Sequence, residues 1–273
     1  MILVNGKADN RITISDRGLH YGDGLFETIA YRNGQCEFLD AHLSRLSLGC
    51  QRLDIPFQQL NQLKSELKSV MAELANNDAV VKVIVTRGSG GRGYYADSTM
   101  QPTRIISTYP MPSYPDKNQQ TGIKTFFCQQ RLSENSSLAG LKHLNRLEQV
   151  LARNEWKDTD IAEGLMLDQH EHIIEGTMSN VFLVKSGGLV TSRLDKSGVA
   201  GIIRAEIIRI ANQKNISVQE TQLSKEMVQK ADEVFVCNSI IGIWPVVSII
   251  DKEMHYNYAV GERTQQFQDL IAR

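Results

Sequence analysis

Two rhythms of apolar and polar positions alternate along this chain. Leu60, Leu63, Leu67, Val70, Met71 and Leu74 recur at helical spacing, which predicts an amphipathic helix over residues 58–75 with its stripe in the core. Leu43, Leu46 and Leu53 mark a second helix capped by Asp40, with Arg45 on a different face from Leu43. Ile202, Ile203, Ile207, Ile210 and Ala211 mark a third, and a last helix covers 260–272. β-Branched and aromatic runs predict strands at 25–31, 80–86, 103–109, 122–130, 163–168, 172–175, 233–237 and 246–250. In the first of these, Phe26, Thr28 and Ala30 share one face. Residues 2–5 and 11–15 predict an opening hairpin, and Asn33-Gly34 a turn into 36–39. Strands interleaved with helices make an α/β (α+β) chain.

The stretch Gly140-Leu141-Lys142-His143-Leu144-Asn145-Arg146-Leu147-Glu148-Gln149-Val150 carries the first chemistry. Leu144, Leu147, Val150 and Leu151 keep helical spacing, so Lys142 stands at the mouth of a predicted helix, and Gly140 lets the backbone turn just before it. An ammonium flanked by apolar residues is desolvated, which favours the neutral, nucleophilic amine. For any lysine taken alone, a solvated charge is the commoner role.

Pro110, Pro112 and Pro115 are half of the six prolines and stiffen the backbone where one domain would give way to another. They predict an N-terminal α/β domain at 1–112, a linker at 113–117 and a C-terminal domain at 118–273. Arg87-Gly88-Ser89-Gly90-Gly91-Arg92-Gly93-Tyr94 contains a formal GxGxxG, but no helical periodicity follows it, so it is not a dinucleotide fingerprint. A mobile loop whose Arg87 and Arg92 recognise a carboxylate fits the composition as well as a solvated hairpin tip does. His170 and His172 lie in a turn beside no third ligand and read as surface residues, so no metal site is expected.

Glu175 stands at a strand end before Gly176-Thr177-Met178-Ser179-Asn180. Ser197-Gly198-Val199-Ala200-Gly201 leads into the helix at Ile202 and Ile203, where unpaired N–H groups and the dipole suit one phosphate. Asn238 and Ser239, at another strand end, could donate to the same anion.

The net charge of the 273 residues is -1, which gives no bulk attraction to nucleic acid or an anionic membrane. Four scattered cysteines (Cys36, Cys50, Cys128 and Cys237) read as buried thiols in a reducing compartment. No apolar run approaches about 18 residues, and the first residues lack a basic leader, so a cytoplasmic, non-membrane protein is expected.

A nucleophilic lysine, a carboxylate after a strand, a phosphate-type helix entrance and an arginine near the first long helix are together what pyridoxal phosphate requires. The chain resembles the fold-type IV pyridoxal phosphate enzymes, the group of branched-chain and D-amino-acid aminotransferases and aminodeoxychorismate lyases. The resemblance rests on Tyr21-Gly22-Asp23-Gly24-Leu25-Phe26-Glu27, Ala41-His42-Leu43-Ser44-Arg45-Leu46, the lysine segment, the segment 175–182, Gly201-Ile202-Ile203-Arg204 and Asn238-Ser239. Residues 87–94 and 142–150 are similar to those of the bacterial lyases in particular, and Leu147 stands where branched-chain aminotransferases carry a tyrosine. The resemblance implies a smaller N-terminal α/β domain, a larger pseudo-barrel domain and a homodimer. It makes Lys142 the Schiff-base lysine and proton shuttle, Glu175 the partner of the pyridine nitrogen, and Arg45 the phosphate-binding arginine. Ile202, Ile203, Asn238 and Ser239 become its companions at the phosphate. Thr28 would assist proton transfer, and Arg92, with Tyr94, would meet the substrate carboxylate. The implied reaction splits 4-amino-4-deoxychorismate into 4-aminobenzoate and pyruvate, a step of folate biosynthesis. The alternative on the same scaffold is a D-amino-acid or branched-chain aminotransferase.

Overall fold

A computed structural model of the chain describes residues 1–252 and 254–271. These form two compact units, the first made of 1–112 with 141–145, the second of 113–140 with 146–273. The chain thus returns to the first unit for the five residues around Lys142.

The first unit contains β1 (Ile2–Val4), β2 (Lys7–Ala8), α1 (Arg17–Tyr21), β3 (Gly24–Arg32), β4 (Gln35–Cys36), α2 (Leu39–Arg52), α3 (Leu60–Leu74), β5 (Ala79–Thr86) and β6 (Thr103–Pro110). Its antiparallel sheet runs β2-β1-β6-β5-β3-β4. Leu25, Glu27, Ile29 and Tyr31 are buried on one face of β3, as its two-residue period dictates. Tyr31 Oη donates to the Met71 and Ala75 carbonyls at the end of α3, which ties that face to the helix layer. Leu63, Leu67 and Val70 on α3 are fully buried, the stripe that the periodicity marks.

Two local expectations change. The opening hairpin closes at once through Asn5 and Gly6, both at positive φ, so β1 pairs with β2 and residues 11–15 are not a strand. Gly18 sits in the short helix α1, capped by Asp16, which accepts from the Gly18 N–H, and a Cβ there would lie 2.3 Å from Thr86 Cγ2. Asp40 lies in the first turn of α2 and does not cap it; the N-cap is Phe38, at φ 51°.

The second unit contains α4 (Lys117–Gln120), β7 (Ile123–Leu132), α5 (Leu147–Arg153), β8 (Ile161–Asp168), β9 (Ile173–Gly176), β10 (Asn180–Lys185), β11 (Gly188–Ser192), α6 (Ile202–Gln213), β12 (Val218–Thr221), α7 (Lys225–Gln229), β13 (Glu233–Asn238), β14 (Gly242–Asp251), β15 (Met254–Asn257) and α8 (Glu262–Ile271). Ala272, placed in the last helix by its periodicity, lies outside the described residues. The sheet runs β12-β11-β10-β13-β14-β7-β8-β9, with β15 paired to β14 and β7 parallel to both neighbours. It curls until its ends meet. Ile173 on β9 donates its N–H to Leu223 just beyond β12, and Ser192 Oγ at the end of β11 donates to the Ile173 carbonyl. Leu165, Leu167, Val181, Leu183, Val234, Val236, Trp244 and Val246 fill the curl. The result is a mixed α/β protein whose larger sheet forms a half-barrel.

Candidate active site

Lys142 stands in an extended segment, not at a helix start. Its carbonyl accepts the Phe26 N–H at 3.0 Å, Leu144 donates to the Gly24 carbonyl at 3.0 Å, and Leu25 bridges His143 across the edge of β3. The helix begins only at Leu147, and its predicted core stripe is turned outward: Leu147, Val150 and Leu151 are exposed, Leu147 by 70 %. Gly140, at φ 79°, makes the turn expected of it. The Lys142 Nζ lies 4.4 Å from the centroid of the Phe26 ring, whose strand face also carries Thr28. A half-buried amine is thereby fixed at main chain and side chain, and a hydroxyl stands on the strand that fixes it.

Arg45, on α2, is no loose surface charge. Its Nε donates to Glu27 Oε1 at 2.8 Å and its Nη2 to Glu27 Oε2. His42, one turn earlier on α2, is wholly buried and meets Glu27 Oε2 through Nδ1 at 2.6 Å. Burial alone would raise the Glu27 carboxyl, but the His42 and Arg45 hydrogen bonds outweigh it and hold it below its ordinary range. Burial lowers the His42 pKa, so its neutral Nδ1–H donates to the carboxylate. Glu27 and His42 stand in segments that carry the resemblance, but they are 15 residues apart and nothing in the sequence pairs them; their shared burial in an apolar layer does.

The glycine loop is anchored rather than loose at its base. Arg87 and Arg17 both donate to Asp23 Oδ2, at 2.7 and 2.9 Å, and hold that carboxyl low against its burial. Arg87 also donates to the Leu53 and Asp54 carbonyls that end α2. Its guanidinium is therefore committed to the scaffold, which removes it as a receptor for a substrate carboxylate. Arg17 donates to the Gly93 and Tyr94 carbonyls and stacks on Tyr21 at 4.7 Å. Beyond these bonds the loop presents Arg92 exposed and the Tyr94 side chain 88 % exposed.

In the second unit Glu175 is buried on β9, and its Oε2 accepts the Val199 N–H at 2.7 Å. Asn180 Nδ2 donates to the Val199 carbonyl at 2.8 Å, so both polar groups of the Val199 backbone are taken by the segment 175–180. This delivers the chain to Gly201, the N-cap of α6, where no side chain caps the helix. A Cβ at Gly201 would lie 2.0 Å from Asn180 Oδ1, so only glycine brings the backbone this close. The N–H groups of Ile202 and Ile203 open a twelve-residue helix there, which suits an anion. Asn238 has its amide committed locally: Nδ2 donates to Met178 and Oδ1 accepts from Ile240 and Ile241. Ser239 follows it, half-buried in the turn.

Glu163 escapes sequence reading altogether. It is 1 % exposed and accepts from the Thr177 N–H and Oγ1, the Ser179 Oγ and the Met178 and Gly164 N–H groups. Burial raises its pKa against those donors. It staples the turn that follows Glu175. Among the described residues no group of three or more His, Cys, Asp or Glu side chains could hold a metal ion, and no helix is long and apolar enough to cross a membrane.

The first unit thus carries an amine and a guanidinium in fixed poses, the second a buried carboxylate and an uncapped helix N-terminus. Known proteins have related sequences and a related fold. The chain is 35 % identical to an aminodeoxychorismate lyase of Vibrio harveyi, with 98 % of each chain covered. It is 33 % identical to a putative branched-chain-amino-acid aminotransferase of Methanocaldococcus jannaschii, over 98 % of this chain and 94 % of that one. The crystal structure of 4-amino-4-deoxychorismate lyase from Pseudomonas aeruginosa superposes with a TM-score of 0.94 at 46 % identity, covering 99 % of this chain and 98 % of that one. The amino-transferase class IV family profile matches residues 24–249, more than four-fifths of the chain, and the chain belongs to that family.

Proposed function

We propose that the chain is a pyridoxal phosphate-dependent lyase that converts 4-amino-4-deoxychorismate to 4-aminobenzoate and pyruvate. The observation that carries this reading is likeness over nearly the whole length to two proteins named for that activity, at 35 % and 46 % identity. The donor set fits the cofactor: Lys142 would hold its aldehyde, Arg45 with the N–H groups of Ile202 and Ile203 its phosphate, and Glu175 its ring nitrogen. The cradle at Gly201, too tight for a Cβ, leaves the α6 N-terminus open for that phosphate. Bound there, the cofactor supplies an electron sink for a carbanion at the amine-bearing carbon.

The chain's own residues do the rest. Glu175 keeps a proton at the ring nitrogen by offering a buried carboxylate to it. Lys142 Nζ takes the proton from the amine-bearing carbon of the substrate. Lys142 Nζ or Thr28 Oγ1 then delivers a proton to the departing enolpyruvyl oxygen, which leaves as pyruvate while the ring becomes aromatic. Arg92 and Tyr94 receive a substrate carboxylate from the exposed part of the loop. The chain acts in the cytoplasm as a homodimer. Support for the dimer comes from large apolar and aromatic side chains left exposed on the first unit, Ile14, Leu19, Tyr94 and Tyr95 among them.

An aminotransferase reading has its own support in the 33 % identical relative. Leu147, where branched-chain aminotransferases carry a tyrosine, stands against it. Feeding the enzyme with chorismate, glutamine and an aminodeoxychorismate synthase should release pyruvate and 4-aminobenzoate, and Lys142→Ala should abolish both. Sustained turnover of D-alanine or a branched-chain amino acid with 2-oxoglutarate, without pyruvate release from the chorismate mixture, would favour the rival.

A further inference from the structure

Glu27 takes no part in the reaction as proposed, yet it is only 1 % exposed between β3 and α2. A carboxylate is carried into an apolar layer at a large desolvation cost, so its retention there calls for a task. Its two oxygens accept from Arg45 along one edge of the guanidinium, Nε to Oε1 and Nη2 to Oε2. A guanidinium is planar and its N–H directions are rigid, so clamping one edge fixes where every other N–H points. His42 supplies the second lock. Its Nδ1 meets Glu27 Oε2 at 2.6 Å, and its Nε2 is buried with no hydrogen-bond partner among the described residues. Binding through one ring nitrogen alone is what a side chain recruited to hold a carboxylate would show.

We infer that Glu27, locked by His42, is the positioning residue for Arg45, setting the pose in which its guanidinium receives the phosphate of the cofactor. This rests on the reading of Arg45 as the phosphate holder. Without Glu27 the arginine would keep its charge and lose its direction, so the loss should fall on ligands that carry a phosphate and spare those that do not.

The test compares two ligands that differ only there. The full chain, stripped of cofactor, is titrated with pyridoxal 5'-phosphate and separately with pyridoxal, following absorbance. Glu27→Gln keeps the shape of the side chain and removes its charge. It should weaken binding of the phosphorylated ligand by about tenfold or more, as expected when a charge-assisted bidentate contact loses its geometry, while pyridoxal binding stays within about twofold. Arg45→Ala should show the same selective loss. If Arg45→Ala lowers the ratio of the two affinities and Glu27→Gln leaves it at the wild-type value, the positioning role is overturned. If Arg45→Ala itself leaves the ratio unchanged, the reading of Arg45 fails first. Should Glu27→Gln not fold by circular dichroism, Glu27→Asp, which keeps the charge but cannot reach both partners, takes its place, and a wild-type ratio there overturns the inference equally.

Discussion

Lys142 and Phe26 are joined twice, by a main-chain hydrogen bond of 3.0 Å from the Phe26 N–H to the Lys142 carbonyl and by an ammonium-to-ring distance of 4.4 Å. The first bond depends only on backbone and survives any substitution at 26 other than proline; the second needs the aromatic face. Phe26→Leu should therefore leave the lysine segment paired to β3 while removing an attraction of about 0.5–2 kcal/mol. Urea unfolding of the cofactor-free chain should show a loss in that range, and Phe26→Ala a larger one because apolar contact goes as well.

His42 gives the first unit a pH dependence of known sign. Burial lowers its pKa from the usual 6.5, so the folded chain binds fewer protons here than the unfolded chain. Its contribution to stability is complete above 6.5 and is lost as pH falls through the folded value. His42→Asn keeps a donor for Glu27 and cannot titrate. Unfolding free energies measured from pH 7.5 down to about 5 should fall for the wild type and stay flatter for the variant over that window. Glu27, held below its usual 4.5, has the same sign in a more acidic window, so both chains should lose stability there.

Glu163 has the opposite sign. Burial raises its pKa above the usual 4.5, so its share of stability is complete below that value and is lost as pH rises through the folded one. Five donors converge on its two oxygens, and Glu163→Gln would turn an NH2 toward them. The variant should be less stable by about 1–3 kcal/mol and should lack this part of the pH slope. Because Glu163 holds the turn that follows Glu175, cofactor absorbance should titrate at higher ligand concentration as well.

How far the residues announced this structure depends on whether a feature is local. The stripe Leu60, Leu63, Leu67, Val70, Met71 and Leu74 repeats over about four turns, long enough for period alone to identify α3. The lysine segment misleads for the same reason: Leu144, Leu147, Val150 and Leu151 keep helical spacing, but residues 142–144 are claimed by hydrogen bonds to β3. The last three of those leucines and valines face outward, so their rhythm marks no core of this chain. The curl of the larger sheet depends on contacts such as Ile173 with Leu223, which no short window contains. Motif likeness drew attention to Arg45 and Glu175. The residues that hold the surrounding frame, Glu27 for the one and Glu163 beside the other, are lone acidic positions within apolar strands, recognisable only once burial is known.

Gly201 offers the sharpest separation between stability and ligand affinity. Its φ of -67° is open to any residue, so Gly201→Ala creates no backbone strain. What it creates is a collision, since the new Cβ would stand 2.0 Å from Asn180 Oδ1. Asn180 cannot simply rotate away, because its Nδ2 holds the Val199 carbonyl while Val199 donates to Glu175. Relief must come from shifting the α6 N-terminus or breaking that hydrogen bond, at about 1–3 kcal/mol of folding stability. The effect on ligand binding should exceed this, because the displaced atoms include the N–H groups of Ile202 and Ile203. Titrating Gly201→Ala with pyridoxal 5'-phosphate and with pyridoxal should show a selective loss for the phosphorylated ligand. An equal loss for both would mean that the α6 entrance does not receive the phosphate.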